Sequence, residues 1–176
     1  MTKKWHNIIS FMAKKFNVND LVMHCREGLA EIVSTTEMGG KEYFLVTAKR
    51  GSGEKIYVPI EKANSIIRHI LNKSDADKLL AYMKGIEIEF NSNTKQRRDA
   101  FKRRLASGDV YDLAFLSRQL FYFNSQDEEN PLIKYGPVDL DMLRYADNVL
   151  MDELSLSYDI PREDILDFVN NKIKNM

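Results

Sequence analysis

The fold is decided by residues 29–60, LAEIVSTTEMGGKEYFLVTAKRGSGEKIYVPI, where apolar and polar residues alternate between short glycine-containing segments. Alternation with a period of two places successive side chains on opposite faces of a β-strand. Gly39-Gly40 and Gly51-Ser52-Gly53 separate the alternating segments, as the turns of β-hairpins do. We therefore predict strands at residues 16–25, 29–36, 43–48 and 55–59, and such short twisted strands are typical of a small β-barrel.

The periodicity changes after residue 72, where apolar residues recur at helical spacing. Ser74 is a candidate N-cap, because acidic residues and then leucines at helical spacing follow it. Asp159 is a second candidate N-cap, with Pro161 at the first helical position. We predict helices from residue 74 and at 95–106, 109–123, 138–157 and 161–174, with a polar loop at 124–131.

These elements predict an α+β protein with a small barrel followed by an all-α domain. We assign residues 16–72 to the barrel and 73–176 to the helical domain. Residues 1–15 form a separate extension, in which Trp5, Ile8, Ile9 and Met12 would lie on one face of an amphipathic helix.

Composition limits the class of protein. The chain has 176 residues, of which 44% are apolar and 30% charged, as expected of a globular protein. The sequence has no apolar run long enough to span a bilayer, so we expect no membrane association and a cytoplasmic location. Cys25 is the only cysteine, which excludes an internal disulfide and a cysteine-rich zinc site.

The sequence lacks the common catalytic, phosphate-binding and metal-binding motifs. It contains no HExxH, GxxxxGK[ST] or GxSxG pattern, and its three histidines have no spacing typical of metal ligands. Gly51-Ser52-Gly53 lies between two predicted strands rather than before a helix, which favours a hairpin turn over a phosphate loop. We therefore predict a protein that is not an enzyme, with no catalytic residue, metal site or cofactor.

The charge is distributed unevenly along the chain. Residues 1–110 carry 20 Lys and Arg against 13 Asp and Glu, whereas residues 111–176 carry 6 against 13. The densest basic segment is KQRRDAFKRR at 95–104, which falls on a predicted helix with Phe101 facing inward. Cations on a rigid helix suit contacts with nucleic-acid phosphates. The predicted phosphate contacts are Lys95, Arg97, Arg98, Lys102, Arg103 and Arg104, while the alternative is a solvated face that pairs with the acidic half of the chain.

Several short patterns occur in the order found in one known family. They are FNVNDLV at 16–22, Gly28, EYFLV at 42–46, Val58-Pro59, Ala63-Asn64, Arg68, LASGDVY at 105–111, Arg118 with Leu120, and LMDEL at 150–154. This ordered set resembles the CarD/CdnL/TRCF family over roughly residues 16–174. The family tryptophan that precedes the basic helix has no counterpart, since the only Trp is Trp5.

The resemblance implies a transcription regulator that binds RNA polymerase. It implies a Tudor/SH3-like barrel that docks on the polymerase β subunit, in part by strand addition at a sheet edge. It also implies a helical domain that contacts promoter DNA near the upstream edge of the bubble and stabilises the open complex. By the family pattern the polymerase contacts would include Thr36, Tyr43, Leu45, Thr47 and Tyr57, and we expect a monomer.

Two other functions fit the sequence. The first is a protein–protein adaptor whose SH3-like barrel binds another partner and whose basic helix has no nucleic-acid role. The second is an RNA-binding module, which is disfavoured because such modules usually display aromatic side chains beside their basic residues. Salt-sensitive binding to DNA would distinguish the regulator from the adaptor.

Overall fold

The computed structural model describes residues 16–51, 53–88, 90–127, 129 and 131–176. Two compact units divide this part of the chain between His69 and Ile70. The predicted amphipathic helix at residues 1–15 lies outside the described residues. The assignment of domains at 16–72 and 73–176 stays a prediction.

The first unit is a five-stranded antiparallel sheet. Its strands are β1 (Leu21–His24), β2 (Gly28–Met38), β3 (Lys41–Ala48), β4 (Lys55–Pro59) and β5 (Ile67–His69), in the spatial order β4-β3-β2-β1-β5. A 3₁₀ turn (Ile60–Lys62) and the short helix α1 (Ala63–Ile66) connect β4 to β5. Gly39 and Gly40 both have positive φ at the β2–β3 turn, a backbone conformation that glycine adopts without strain.

All five strands contribute to one apolar cluster, so the sheet curls around a single core. The strand residues in this cluster are Val22, Ala30, Ile32, Phe44, Val46, Val58 and Ile67. Phe16 joins them and stacks on His69, with the ring centroids 4.5 Å apart. The strand predicted at 16–25 is shorter than expected, because the chain turns at residues 18–19, where Asn19 has φ 74°. Backbone hydrogen bonds still join Asn19 and Asp20 to Ile32 of β2.

The second unit is helical. Its helices are α2 (Lys73–Lys84), α3 (Thr94–Ser107), α4 (Val110–Ser125), α5 (Pro137–Tyr158) and α6 (Ile165–Asn175). Helices α2, α4, α5 and α6 share a core that includes the fully buried Leu79, Leu80, Leu150 and Leu154. The prediction of an α+β protein with a small barrel followed by an all-α unit is confirmed.

Two predicted helix starts are wrong. Helix α2 begins one residue before Ser74, because the side chain of Asn72 accepts the hydrogen bond from the Asp75 N–H. Asp159 has φ 56° and ends α5 in the left-handed conformation, so it does not cap α6. Residues 162–164 form a turn, and α6 starts at Ile165. Pro161 therefore precedes this turn instead of opening the helix.

Candidate functional site

The strand register places all five predicted polymerase contacts on one face of the sheet. Residues directly opposite each other in an antiparallel ladder share a face. Tyr43 lies opposite Thr36 on β2 and Pro59 on β4, so these three side chains form one row. The neighbouring residue Phe44 is buried in the core, and Tyr43 therefore points away from it.

The same register extends this surface by two further rows across β2, β3 and β4. Leu45 lies opposite Ser34 and Tyr57, and Thr47 lies opposite Glu31 and Lys55. Tyr57 is 51% exposed, the highest fraction among the aromatic side chains that the structure describes. We call this surface, formed by Thr36, Tyr43, Leu45, Thr47 and Tyr57, the outer sheet face.

Two strand edges border the outer sheet face. Within the described chain, β4 pairs only with β3, and residues 33–38 of β2 also pair only with β3, because β1 covers β2 at 28–31. The register shifts between Ile32 and Ser34, which indicates a β-bulge and leaves Val33 38% exposed. Edge strands present backbone N–H and C=O groups that a partner strand can satisfy.

Helix α3 carries the basic segment and has well-defined ends. Asn93 caps its N-terminus by accepting a hydrogen bond from the Gln96 N–H at 3.1 Å. Gly108 ends it with φ 66°, in the left-handed region that favours glycine. Phe101 is buried, as its predicted inward position requires, so the helix is anchored along one side.

Three of the six predicted phosphate contacts are exposed cations. The side chains of Lys95, Lys102 and Arg103 lie on the surface of α3, and none forms an ion pair within the part of the chain that the structure describes. Lys95 and Lys102 are two helical turns apart, or about 10 Å along the axis. These three residues form what we call the cationic face of α3.

Arg97 does not lie on this face. Its side chain is only 6% exposed, and its Nη2 donates a hydrogen bond to Oδ2 of the fully buried Asp139 at 2.8 Å. The prediction of Arg97 as a phosphate contact disagrees with this burial, because its guanidinium is already neutralised inside the protein. Arg98 binds the same carboxylate through Nε at 3.2 Å, with its side chain 34% exposed.

Asp139 therefore joins α3 to the N-terminus of α5. Burial pushes the pKa of Asp139 upward, but hydrogen bonds from Arg97, the Gly136 N–H and Arg98 outweigh burial and hold its pKa below the usual range. Asp139 lies three residues after Gly136, in the first turn of α5, where a carboxylate is also favoured by the helix dipole. The side chain stays ionised and fixes α3 in place.

Aromatic rings surround the other side of the Arg97 guanidinium. Its central carbon lies 5.2 Å from the ring centroid of Phe90 and 5.7 Å from that of Tyr135. The Tyr135 hydroxyl donates a hydrogen bond to Gln119 on α4, and burial raises the pKa of Tyr135 to about 12. Arg97 thus connects α3 to the segment before α5 by packing as well as by charge.

Arg104 is also engaged within the helical unit. It forms an ion pair with Asp112 on α4, and its guanidinium stacks over the Phe115 ring at 4.0 Å from the centroid. Its side chain is 37% exposed. Arg97 and Arg98 thus pair with Asp139, and Arg104 pairs with Asp112. Lys95, Lys102 and Arg103 remain available on the surface.

Sequence reasoning missed Asp139. The residue stands more than thirty positions from the basic segment, and only its place in the first turn of a predicted helix was visible. Within the described ranges, no His, Cys, Asp and Glu group has the arrangement of a metal site. No helix among these residues is both long and apolar enough to span a membrane.

The chain matches two known domain families, which together span most of its length. Residues 16–71 match the family described as the CarD-like/TRCF RID domain. Residues 78–170 match the family described as the CarD C-terminal domain. The first match covers the curled sheet, and the second covers most of the helical unit.

Proposed function

Because this chain belongs to the CarD-like/TRCF family of RNA polymerase-interacting transcription regulators, we propose that it binds the polymerase β subunit through the outer sheet face and contacts promoter DNA through the cationic face of α3. By holding both at once, it stabilises the open promoter complex. The protein acts where polymerase and promoter meet, in the cytoplasm, as a monomer and without a chemical step.

The outer sheet face supports the polymerase contact. It combines an exposed aromatic ring, Tyr57, with the smaller side chains Thr36 and Thr47 on neighbouring strands. Exposed tyrosines are common anchors at protein interfaces because they bury a large area at low entropic cost. The edges of β4 and of residues 33–38, which pair with no second strand of the described chain, add backbone groups that a strand of the β subunit can pair with.

The cationic face of α3 supports the DNA contact. Lys95, Lys102 and Arg103 lie on a helix whose orientation is fixed by the buried ion pair between Arg97 and Asp139. Phosphate contacts gain free energy mainly by releasing condensed counterions, so they require positioned charge but no base-reading geometry. Three cations give weak affinity alone, but tethering to polymerase raises their effective concentration at the promoter.

Stabilisation of the open complex follows from differential affinity. A protein that binds polymerase and opened promoter together better than the closed complex shifts the equilibrium toward the open state. Each factor of ten in this preference corresponds to about 1.4 kcal/mol.

The polymerase contact is tested with the full chain and the variant Tyr57→Ala. We expect this variant to bind the purified β subunit at least tenfold more weakly in a calorimetric titration, because it removes an exposed aromatic anchor. Tyr145→Ala, a substitution at a 40% exposed tyrosine in the helical unit, is the matched control and should bind normally. Equal affinity of the Tyr57→Ala variant and the wild-type protein would exclude this face as the main contact.

The DNA contact is tested with Lys102→Glu combined with Arg103→Glu. Binding to a polymerase–promoter complex, followed by fluorescence anisotropy between 50 and 200 mM salt, should weaken, and the log–log salt slope should fall by about two because two phosphate contacts are lost. Lys84→Glu with Lys174→Glu makes the same charge change at exposed positions on α2 and α6 and should leave the slope unchanged.

Promoter opening distinguishes the regulator from the adaptor. The wild-type protein should increase the open fraction, measured by permanganate reactivity of unpaired thymines, and the Lys102→Glu/Arg103→Glu variant should increase it less. If polymerase binding is normal but the salt slope and the open fraction are identical in both proteins, the chain is an adaptor with no nucleic-acid role.

A further inference from the structure

A cavity of about 270 Å³ opens on the surface of the helical unit. Its walls come from α2, α4, α5 and α6, and its apolar lining includes the buried Met83, Leu120, Met151 and Val169. Phe121 and Leu166 also line it and are 37% and 45% exposed, so apolar surface continues from the cavity to solvent. This volume lies just below the range of ~300–1,000 Å³ that is typical of ligand pockets, so the cavity suits a small ligand.

Arg118 lines this cavity and is a buried cation that has no counter-ion among the described residues. Its side chain is 7% exposed, and no carboxylate lies within ion-pair distance of it in the described part of the chain. Its central carbon lies over the rings of Phe121 and Tyr122, at 4.5 Å and 4.9 Å from their centroids. Its Nη2 donates a long hydrogen bond of 3.4 Å to the Tyr122 hydroxyl. Its Nε has no acceptor among the described residues.

Such an arrangement is unusual, because a buried charge is normally paired or fully hydrogen-bonded. Arg97 in the same unit is also buried, but it is paired in the usual way, because its guanidinium binds the carboxylate of Asp139. Stacking on two rings compensates only part of the desolvation of Arg118. The guanidinium of Arg118 therefore has no anionic partner among the residues that the structure describes.

The other ionisable group of the cavity is Asp147, which does not supply that anion. Its Oδ1 accepts a hydrogen bond from the Ser117 hydroxyl at 2.7 Å, and no Lys or Arg of the described chain lies within ion-pair distance of it. Burial raises the pKa of Asp147, which lowers its tendency to carry negative charge beside a bound anion.

We propose that this cavity binds a small organic carboxylate with an apolar body. The carboxylate pairs with the Arg118 guanidinium, and the apolar body packs against Leu120, Met151 and Val169 and covers the exposed ring of Phe121. This site is independent of the polymerase and DNA contacts, because it uses none of the residues of the outer sheet face or of the cationic face of α3.

The first test titrates the wild-type full-length chain with three acids and their neutral amides. The probes are hexanoate, phenylacetate and 4-phenylbutyrate, each compared with the corresponding amide, and binding is followed by the ¹H–¹⁵N NMR signals of the lining residues. We expect saturable shifts with at least one acid and at least tenfold weaker binding of its amide, because a hydrogen bond to a charged group contributes about that factor. Absence of saturation with all three acids, or equal affinity for an acid and its amide, would overturn the proposal.

The second test uses Arg118→Met, which keeps an apolar stem and removes the charge. We expect it to lose the preference for the acid over the amide, whereas Arg144→Met, the same change at a side chain that is 60% exposed on α5, should retain it. An unchanged preference in Arg118→Met would refute the role of Arg118. If Arg118→Met does not fold, the comparison of acid and amide on the wild-type chain still decides whether the site recognises charge.

Discussion

Replacing Asp139 by asparagine removes the negative charge that holds α3 against α5 and leaves the shape of the side chain almost unchanged. Asp139 is fully buried and accepts hydrogen bonds from Arg97, Arg98 and the Gly136 N–H. An asparagine oxygen in the place of Oδ2 can keep the bonds from Arg97 and the Gly136 N–H, but the amide nitrogen in the place of Oδ1 cannot accept from Arg98. The asparagine cannot neutralise the guanidinium of Arg97, which is only 6% exposed.

The expected loss follows from this burial. Removing one partner of a buried ion pair costs about 3–5 kcal/mol, because an uncompensated charge remains inside the protein. Arg98 contributes less, since its side chain is 34% exposed and water can solvate it. We expect Asp139→Asn to lower the free energy of unfolding by about 3 kcal/mol, which for a urea m-value of about 2 kcal/mol/M lowers the midpoint by roughly 1.5 M.

The assay is urea unfolding of the full chain followed by circular dichroism at 222 nm, which reports mainly on the helices. The control is Asp141→Asn on the same helix, because Asp141 lies 3.9 Å from Arg144 with both side chains largely exposed, and its loss should change the midpoint very little. The double variant Arg97→Met/Asp139→Asn should recover part of the loss, since it leaves one buried charge fewer. If Asp139→Asn unfolds at the same urea concentration as the Asp141→Asn control, the buried ion pair does not fix α3.

The ionisation of Asp139 also makes the stability of the protein depend on pH. Because the pKa of Asp139 is lowered in the folded protein, its stabilisation is present above the ordinary value of 3.8 and is lost as pH falls through the lower folded pKa. The wild-type protein should therefore lose stability below about pH 4 more steeply than the Asp139→Asn variant.

Two further predictions concern local structure in each unit. His24 is buried, which lowers its pKa, and its Nδ1 accepts hydrogen bonds from the N–H groups of Arg26 and Glu27 at 3.2 Å each. The contribution of neutral His24 to the free energy of unfolding should therefore be complete above pH 6.5 and decrease as pH falls toward the lower folded pKa. His24→Gln should remove this pH dependence when urea midpoints at pH 7.5 and pH 5 are compared. An equal pH dependence in both proteins would refute the role of His24. Gly108 ends α3 with φ 66°, a conformation that strains an alanine. Gly108→Ala should therefore lower the free energy of unfolding by about 1 kcal/mol or more in the same assay, and Gly108→Asn should lower it less. Equal stability of the alanine variant and the wild-type protein would refute this strain.

The barrel is the part of the molecule that the sequence predicts most directly. Alternation between Tyr43 and Ala48 identifies the buried face of β3, because the period of a strand is local and needs no knowledge of the rest of the fold. The strand register then places Thr36 beside Tyr43 and Tyr57 beside Leu45, and their role as polymerase contacts stays a prediction. The predicted helix starts are less accurate, because several residues that can cap a helix lie within a few positions of each start. Asn72, for example, caps α2 in place of the predicted Ser74.

The basic segment shows what a sequence cannot determine. Six cations at 95–104 are visible from composition and helical spacing alone, because helix formation and charge density are local properties. Which of them face solvent depends on Asp139, Asp112 and Phe90, which lie elsewhere in the chain and reach the segment only after the helices pack. The tertiary structure alone therefore separates the exposed Lys95, Lys102 and Arg103 from the internal Arg97. It also buries Arg118 with no carboxylate of the described residues beside it, because pairing between distant charges depends on geometry that no local pattern encodes.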